Sequence, residues 1–129
     1  MKRLTWLAVW LAVVLAGCAT PAPPPQAGLV DVIERPAERA LLSGMRAYDD
    51  AQYAQAERSL QTALHTGLNS PRDRASAYKL LAFIYCTSSR MPDCEASFRA
   101  ARQADPSFAL TRSEAGHPLW GPVYRRVAP

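Results

Sequence analysis

The 129-residue chain has no long hydrophobic run, no cluster of histidines with acids and only 3 cysteines, and neither sign of charge dominates it. Each shortage excludes something. The longest uncharged apolar run, Leu4 to Ala16, covers 13 residues with Thr5 as its one polar interruption, whereas a helix needs about 20 to cross a bilayer. An ordinary membrane span is therefore excluded. The formal charge is +4, with Lys2 and Arg3 contributing two of the positive charges ahead of that run; what is left is too little for a nucleic-acid partner. The 2 histidines, His65 and His117, have no cysteine or carboxylate at metal-ligand spacing around them, so no metal is expected. They read as surface residues at a helix end and in a turn. Asp49 and Asp50 are adjacent, do not share a helix face, and read as a helix end. No catalytic residues and no small-molecule substrate follow from this inventory. An envelope enzyme, such as one acting on the cell wall, is left as the least supported class.

The N-terminus is more informative. Two cations followed by a 13-residue apolar core match a signal peptide, whose core needs about 7 to 15 residues. The core closes on Leu15-Ala16-Gly17-Cys18, which resembles the lipobox of bacterial lipoproteins. That resemblance implies a signal peptide over 1–17 and a mature chain beginning at Cys18, whose thiol carries a diacylglyceryl group. The alternative is a plain secretory leader with an incidental cysteine. Acyl chains contribute about 0.8 kcal/mol per buried CH₂, so several chains hold durably. Ala19 and Thr20 follow, with no aspartate after the cysteine; in Gram-negative lipoproteins this implies an outer-membrane anchor, here with the domain in the periplasm. The covalent lipid on Cys18 is the only non-protein group expected, with no cofactor. Residues 18–34 hold Pro21, Pro23, Pro24 and Pro25 and read as an extended, semi-rigid spacer, or else as a ligand for a proline-recognition domain.

From 35 to 106 the chain is expected to be all-α. Pro36, Pro71, Pro92 and Pro106 are widely spaced and each reads as a helix start. Ala75, Tyr78, Leu81, Ala82 and Tyr85 recur at helical steps, as do Cys94, Phe98 and Ala101. At fixed offsets, Tyr78, Leu81, Ala82, Tyr85, Phe98, Ala101 and Pro106 resemble the tetratricopeptide pattern of about 34 residues, with Cys94 where alanine is usual. A fainter copy runs through Gly44, Tyr53, Ala56, Leu60 and Ala63, with Ser43 where leucine is expected. The copies start 38 residues apart, which places an insertion in "LNSPRDR". Two helical hairpins are implied, a plain antiparallel bundle being the alternative. Repeats bury their apolar faces against one another, and about three are normally needed, so residues 107–129 are expected to cap the second hairpin. Phe108 and Leu110 would begin a third helix that Gly116 and Pro118 stop, and Leu119, Trp120, Val123 and Tyr124 would fold back over the exposed face. Leu29, Val30, Val32 and Ile33 would shield the other end or meet a partner.

With Cys18 acylated, Cys86 and Cys94 remain near the end of one helix and the start of its antiparallel neighbour. They are placed either as a disulfide at matching height or as two buried free thiols. A bridge closing so short a loop stabilises by about 2 kcal/mol, in a structural role.

The tetratricopeptide resemblance also implies a partner-binding groove lined by the first helix of each pair. It would present Glu38, Leu41, Met45, Tyr48 and Asp49 from the first copy, and Ser76, Lys79, Phe83 and Thr87 from the second. Alternatively, the terminal segments cover Leu41, Met45 and Phe83. The stretch from Leu81 to Val127, with its Cys86/Cys94 pair, Asp105-Pro106 followed by Phe108, and the closing Glu114 to Val123, resembles the lipoproteins associated with type VI secretion clusters, the TssQ family. That resemblance implies an accessory component tethered in the envelope and binding a protein of the secretion machine. The alternative is a likeness to pilotins, the tetratricopeptide lipoproteins that assist outer-membrane secretins of pili and usually carry more repeats.

Overall fold

A computed structural model describes residues 35–127. The expected signal peptide over 1–17, Cys18, the expected spacer over 18–34 and Leu29 to Ile33 lie outside the described residues. All regular structure among the described residues is helical: α1 (Pro36–Asp49), α2 (Tyr53–Thr66), α3 (Pro71–Thr87), α4 (Met91–Ala104), α5 (Arg112–Ala115) and α6 (Gly121–Val127). The described residues form an all-α, tetratricopeptide-like pair of hairpins with a C-terminal cap. α1 packs chiefly on α2 and α3 on α4, and α2 meets α3 to join the pairs.

Local chemistry sets the helix boundaries. Pro36, Pro71 and Pro92 sit in the first turns of α1, α3 and α4, where the missing N–H would have had no helical partner anyway. Ser70 caps α3 by accepting the Asp73 N–H at 3.2 Å, satisfying one orphan donor of the first turn. Asp49 ends α1, with Asp50 as its cap.

The two hairpins turn in the same way. Ala51 (φ 59°) and Ser89 (φ 63°) both take the left-handed conformation. In each turn the next amide reaches back to close it, Gln52 N–H to Ala47 O at 2.7 Å and Arg90 N–H to Tyr85 O at 2.8 Å. The offset that relates the two sequence copies relates these turns too. It also pairs the buried residues Ala56 with Cys94, Ser59 with Ser97, Leu60 with Phe98 and Ala63 with Ala101. Small residues bring the helices together, and one large side chain in each pair fills the space that remains. The insertion between the hairpins is anchored rather than looped out. Leu68 is buried, and the Arg74 guanidinium donates to the carbonyls of Leu68 and Asn69 at 2.8 and 3.0 Å.

Cys86 and Cys94 are joined by a disulfide with Cα atoms 5.2 Å apart, and both are buried. The free-thiol alternative gives way. The bond ties the end of α3 to the start of α4.

The cap differs from expectation in three places. Pro106 starts no helix: it lies in a turn where the Asp105 carboxylate accepts from the Ser107 N–H at 2.9 Å and the Ser107 hydroxyl at 2.6 Å, a local bond that competes with helix formation. Phe108 and Leu110 are accordingly half-buried on non-helical backbone. The helix that does form begins after Thr111, whose hydroxyl and Glu114 make a reciprocal capping box, and it ends ahead of Gly116 and Pro118. Third, Leu119 remains 47% exposed; its backbone N–H donates to His117 Nδ1 at 3.2 Å. Trp120, Val123 and Tyr124 pack onto the core. The Tyr124 ring lies edge-on to Phe98 at 5.4 Å, and its hydroxyl accepts the Leu110 N–H at 3.3 Å.

Candidate functional site

The inner faces of α1 and α3 carry the residues singled out in the sequence, and their fates differ. Leu41 (6% exposed) belongs to the core, because its position on α1 faces the same way as Ala37, Gly44 and Ala47, which are buried with it. Tyr48 is half-buried and joins the hairpins: its ring lies 6.5 Å from Phe83 and edge-on to Tyr53 at 5.6 Å. Burial above all, with the nearby Tyr53 and Glu114 adding to it, raises the Tyr48 phenol above its ordinary value. Met45 stays open at 39%, with Leu42 at 40% and Tyr53 at 46%. Glu38 is half-exposed and Asp49 exposed. Sequence reasoning missed Leu42, although it stands three residues before Met45 on the same helix.

On α3 the groove is filled. Phe83 is only 4% exposed because the Trp120 indole stacks on it, with centroids 4.2 Å apart at 22°. His117 stacks on Trp120 in turn, at 3.4 Å and 2°. The Trp120 Nε1–H donates to the Glu114 carbonyl at 2.9 Å. Lys79 Nζ donates to Glu114 Oε1 at 2.7 Å and lies 5.8 Å from the Phe83 centroid. Residues 111–120 thus form a strap across the inner face of α3, so for Phe83 the alternative holds in which a terminal segment covers it. Ser76 and Lys79 line a polar cleft with Arg72, Asp105 and Ser107. Thr87 is exposed, its hydroxyl spent on the Phe83 carbonyl.

Trp120 was expected to fold back over the second hairpin, but neither Glu114 nor His117 was assigned to this face from the sequence. One signal was available: Thr111-Arg112-Ser113-Glu114 has the spacing of a capping box, which marks a helix start at Thr111. No local pattern announces that Glu114 meets a lysine 35 residues earlier.

Among the described residues no group of three or more His, Cys, Asp or Glu lies close enough to hold a metal ion, and no helix is long and apolar enough to cross a membrane. No family model matches the chain, and neither a curated protein nor a solved structure matches it.

The strap carries a pH dependence of definite sign. Burial pushes the Glu114 carboxyl upward, but the Lys79 ammonium and the Thr111 N–H outweigh it and hold the group below the ordinary glutamate value. A carboxyl depressed by folding stabilises the folded state above its unfolded pKa, and that contribution is lost as pH falls through the folded pKa. Glu114→Gln is therefore expected to lower the melting temperature at about pH 7 and to lose that deficit only as pH falls below the ordinary glutamate range, where the wild-type carboxyl is itself protonated. A deficit constant across that range in thermal melts would contradict the pairing.

Proposed function

We propose that this chain is a lipoprotein held in the cell envelope by lipid on Cys18, whose helical domain binds a protein and does no chemistry of its own. Its place in a type VI secretion system rests on the resemblance of its sequence to the TssQ family. The observation that carries the proposal is the buried bridge between Cys86 and Cys94 at the tip of the second hairpin. Disulfides form and persist in oxidising compartments outside the cytosol, the destination that an apolar leader ending at Cys18 also implies. A two-hairpin domain with Leu42, Met45 and Tyr53 open to solvent then has apolar surface of the kind that recognises a partner helix or strand. The proline-rich segment between Cys18 and α1 would hold that surface away from the lipid.

The tether is tested by expressing Cys18→Ser in cells and fractionating them. The expected result is that the protein leaves the membrane fraction and appears as a folded, soluble, disulfide-bonded domain. Unchanged recovery with membranes would sink the lipid assignment.

A further inference from the structure

The strap over α3 makes contacts of the kind a bound peptide makes. Its two ends are held differently. α6 is anchored by Val123, 3% exposed, and by Tyr124 against Phe98. Residues 111–119 contain no buried residue. They are attached to the second hairpin through one ion pair, whose side chains are 26% and 24% exposed, and through the Trp120 indole that follows them. α5 is a single turn of four residues. Segments with few buried contacts open at low free-energy cost, well below global unfolding, so the strap can lift while α6 stays in place.

What the strap leaves behind when it lifts is a specific surface. Phe83 offers a ring already 6.2 Å from Phe98 and 6.5 Å from Tyr48. Lys79 Nζ stands beside that ring without its carboxylate. A cation next to an aromatic floor fits a segment that brings an acidic side chain and an aromatic ring.

We propose that the inner face of α3 is a binding site for a partner protein's segment presenting a carboxylate and an aromatic ring, and that residues 111–120 occupy it in cis as an internal competitor. Lys79 is the charge-recognition residue and Phe83 the stacking platform, and binding requires the partner to displace Glu114 and Trp120. This rests on the domain being a protein binder and adds the chemistry of the partner and a gate on the site.

The test uses the strap's own sequence as the probe. A fluorescein-labelled peptide of residues 111–120 is titrated by fluorescence anisotropy against three full-length proteins: wild type, Glu114→Gln/Trp120→Ala, and that double variant with Lys79→Ala added. Saturable binding is expected to the double variant. Binding to wild type should be at least about tenfold weaker, since a site open a tenth of the time shows a tenth of its affinity, and binding should be lost in the triple variant. Should the double variant fail to melt cooperatively, Glu114→Gln alone replaces it, because that change leaves every ring in place. No saturable binding to the folded variant overturns the proposal, as does equal binding with and without Lys79. Either failure leaves the tethered binder standing, with its contacts elsewhere, whereas failure of the fractionation test removes the tether and leaves this site untouched.

Discussion

Phe98→Ala is expected to cost about 3–5 kcal/mol, the largest loss of any single truncation in this fold. Phe98 is the largest fully buried side chain, with no accessible surface, and three elements close on it. Phe83 of α3 meets its ring at 6.2 Å, Tyr124 of α6 meets it edge-on at 5.4 Å, and its own helix holds it where Leu60 stands in the first hairpin. Truncation opens a cavity enclosed by α3, α4 and α6, so collapse of any one element into the space is limited and the cost falls toward the upper end. Domains of this size are stable by about 5–15 kcal/mol. A loss of that size brings the unfolding transition close to physiological temperature. Urea unfolding followed by far-UV circular dichroism measures it; a midpoint indistinguishable from wild type would mean that Phe98 does not hold α3, α4 and α6 together.

The second large effect comes from adding atoms. Gly44→Val is expected to destabilise by about 3 kcal/mol, at the upper end of the usual range for overpacking. A Cβ at position 44 would stand 2.7 and 2.8 Å from Leu60 Cγ and Cδ2, and 3.2 Å from the Leu60 amide nitrogen. Leu60 has no accessible surface and nowhere to retreat, so the helices themselves must separate. In an exposed helix interior, replacing glycine gains as much as 1 kcal/mol of propensity, roughly, at alanine and less at a β-branched residue; the clash outweighs it. The matching position of the second hairpin is Ala82, buried and occupied by the methyl group that position 44 cannot take. The exchange is thus asymmetric: Ala82→Gly is a small loss, and Gly44→Val a large one. Thermal melts of the two variants measure the difference, and equal melting temperatures would contradict the close approach of α1 to α2.

How much of this was legible depends on whether the signal was local. Pro36, Pro71 and Pro92 marked helix starts because a missing N–H matters at one position only. The alternation of small and bulky residues from Gly44 to Ala63, and from Tyr78 to Ala101, carried the pairing, because close helix approach dictates residue size at fixed spacing. Pro106 misled for the same reason that the others succeeded: its φ suits a helix start, but the Asp105 side chain commits Ser107 to a turn first. The strap was hidden because its contacts are distant in sequence. Lys79 reads as a solvent-facing groove residue until Glu114 is placed 2.7 Å away, and Phe83 reads as open until Trp120 lies on it. Leu41 and Met45, four residues apart, read alike as apolar groove residues. Their separation into core and surface depends on the angle at which α1 meets α2, a property of the packed pair.

The central claim is that this domain works by binding a protein through its inner helix face while tethered in the envelope. It is tested most directly by placing a photo-cross-linking amino acid at Met45 in cells and comparing the adducts with those from Met91, an apolar residue of α4 that is similarly exposed, 39% against 37%. The expected result is a discrete adduct from position 45 with a protein of the type VI secretion machinery, absent from position 91 and from the Cys18→Ser strain. Identical adducts from both positions would contradict binding through this face, and an adduct from position 45 with a pilus secretin would contradict the type VI placement.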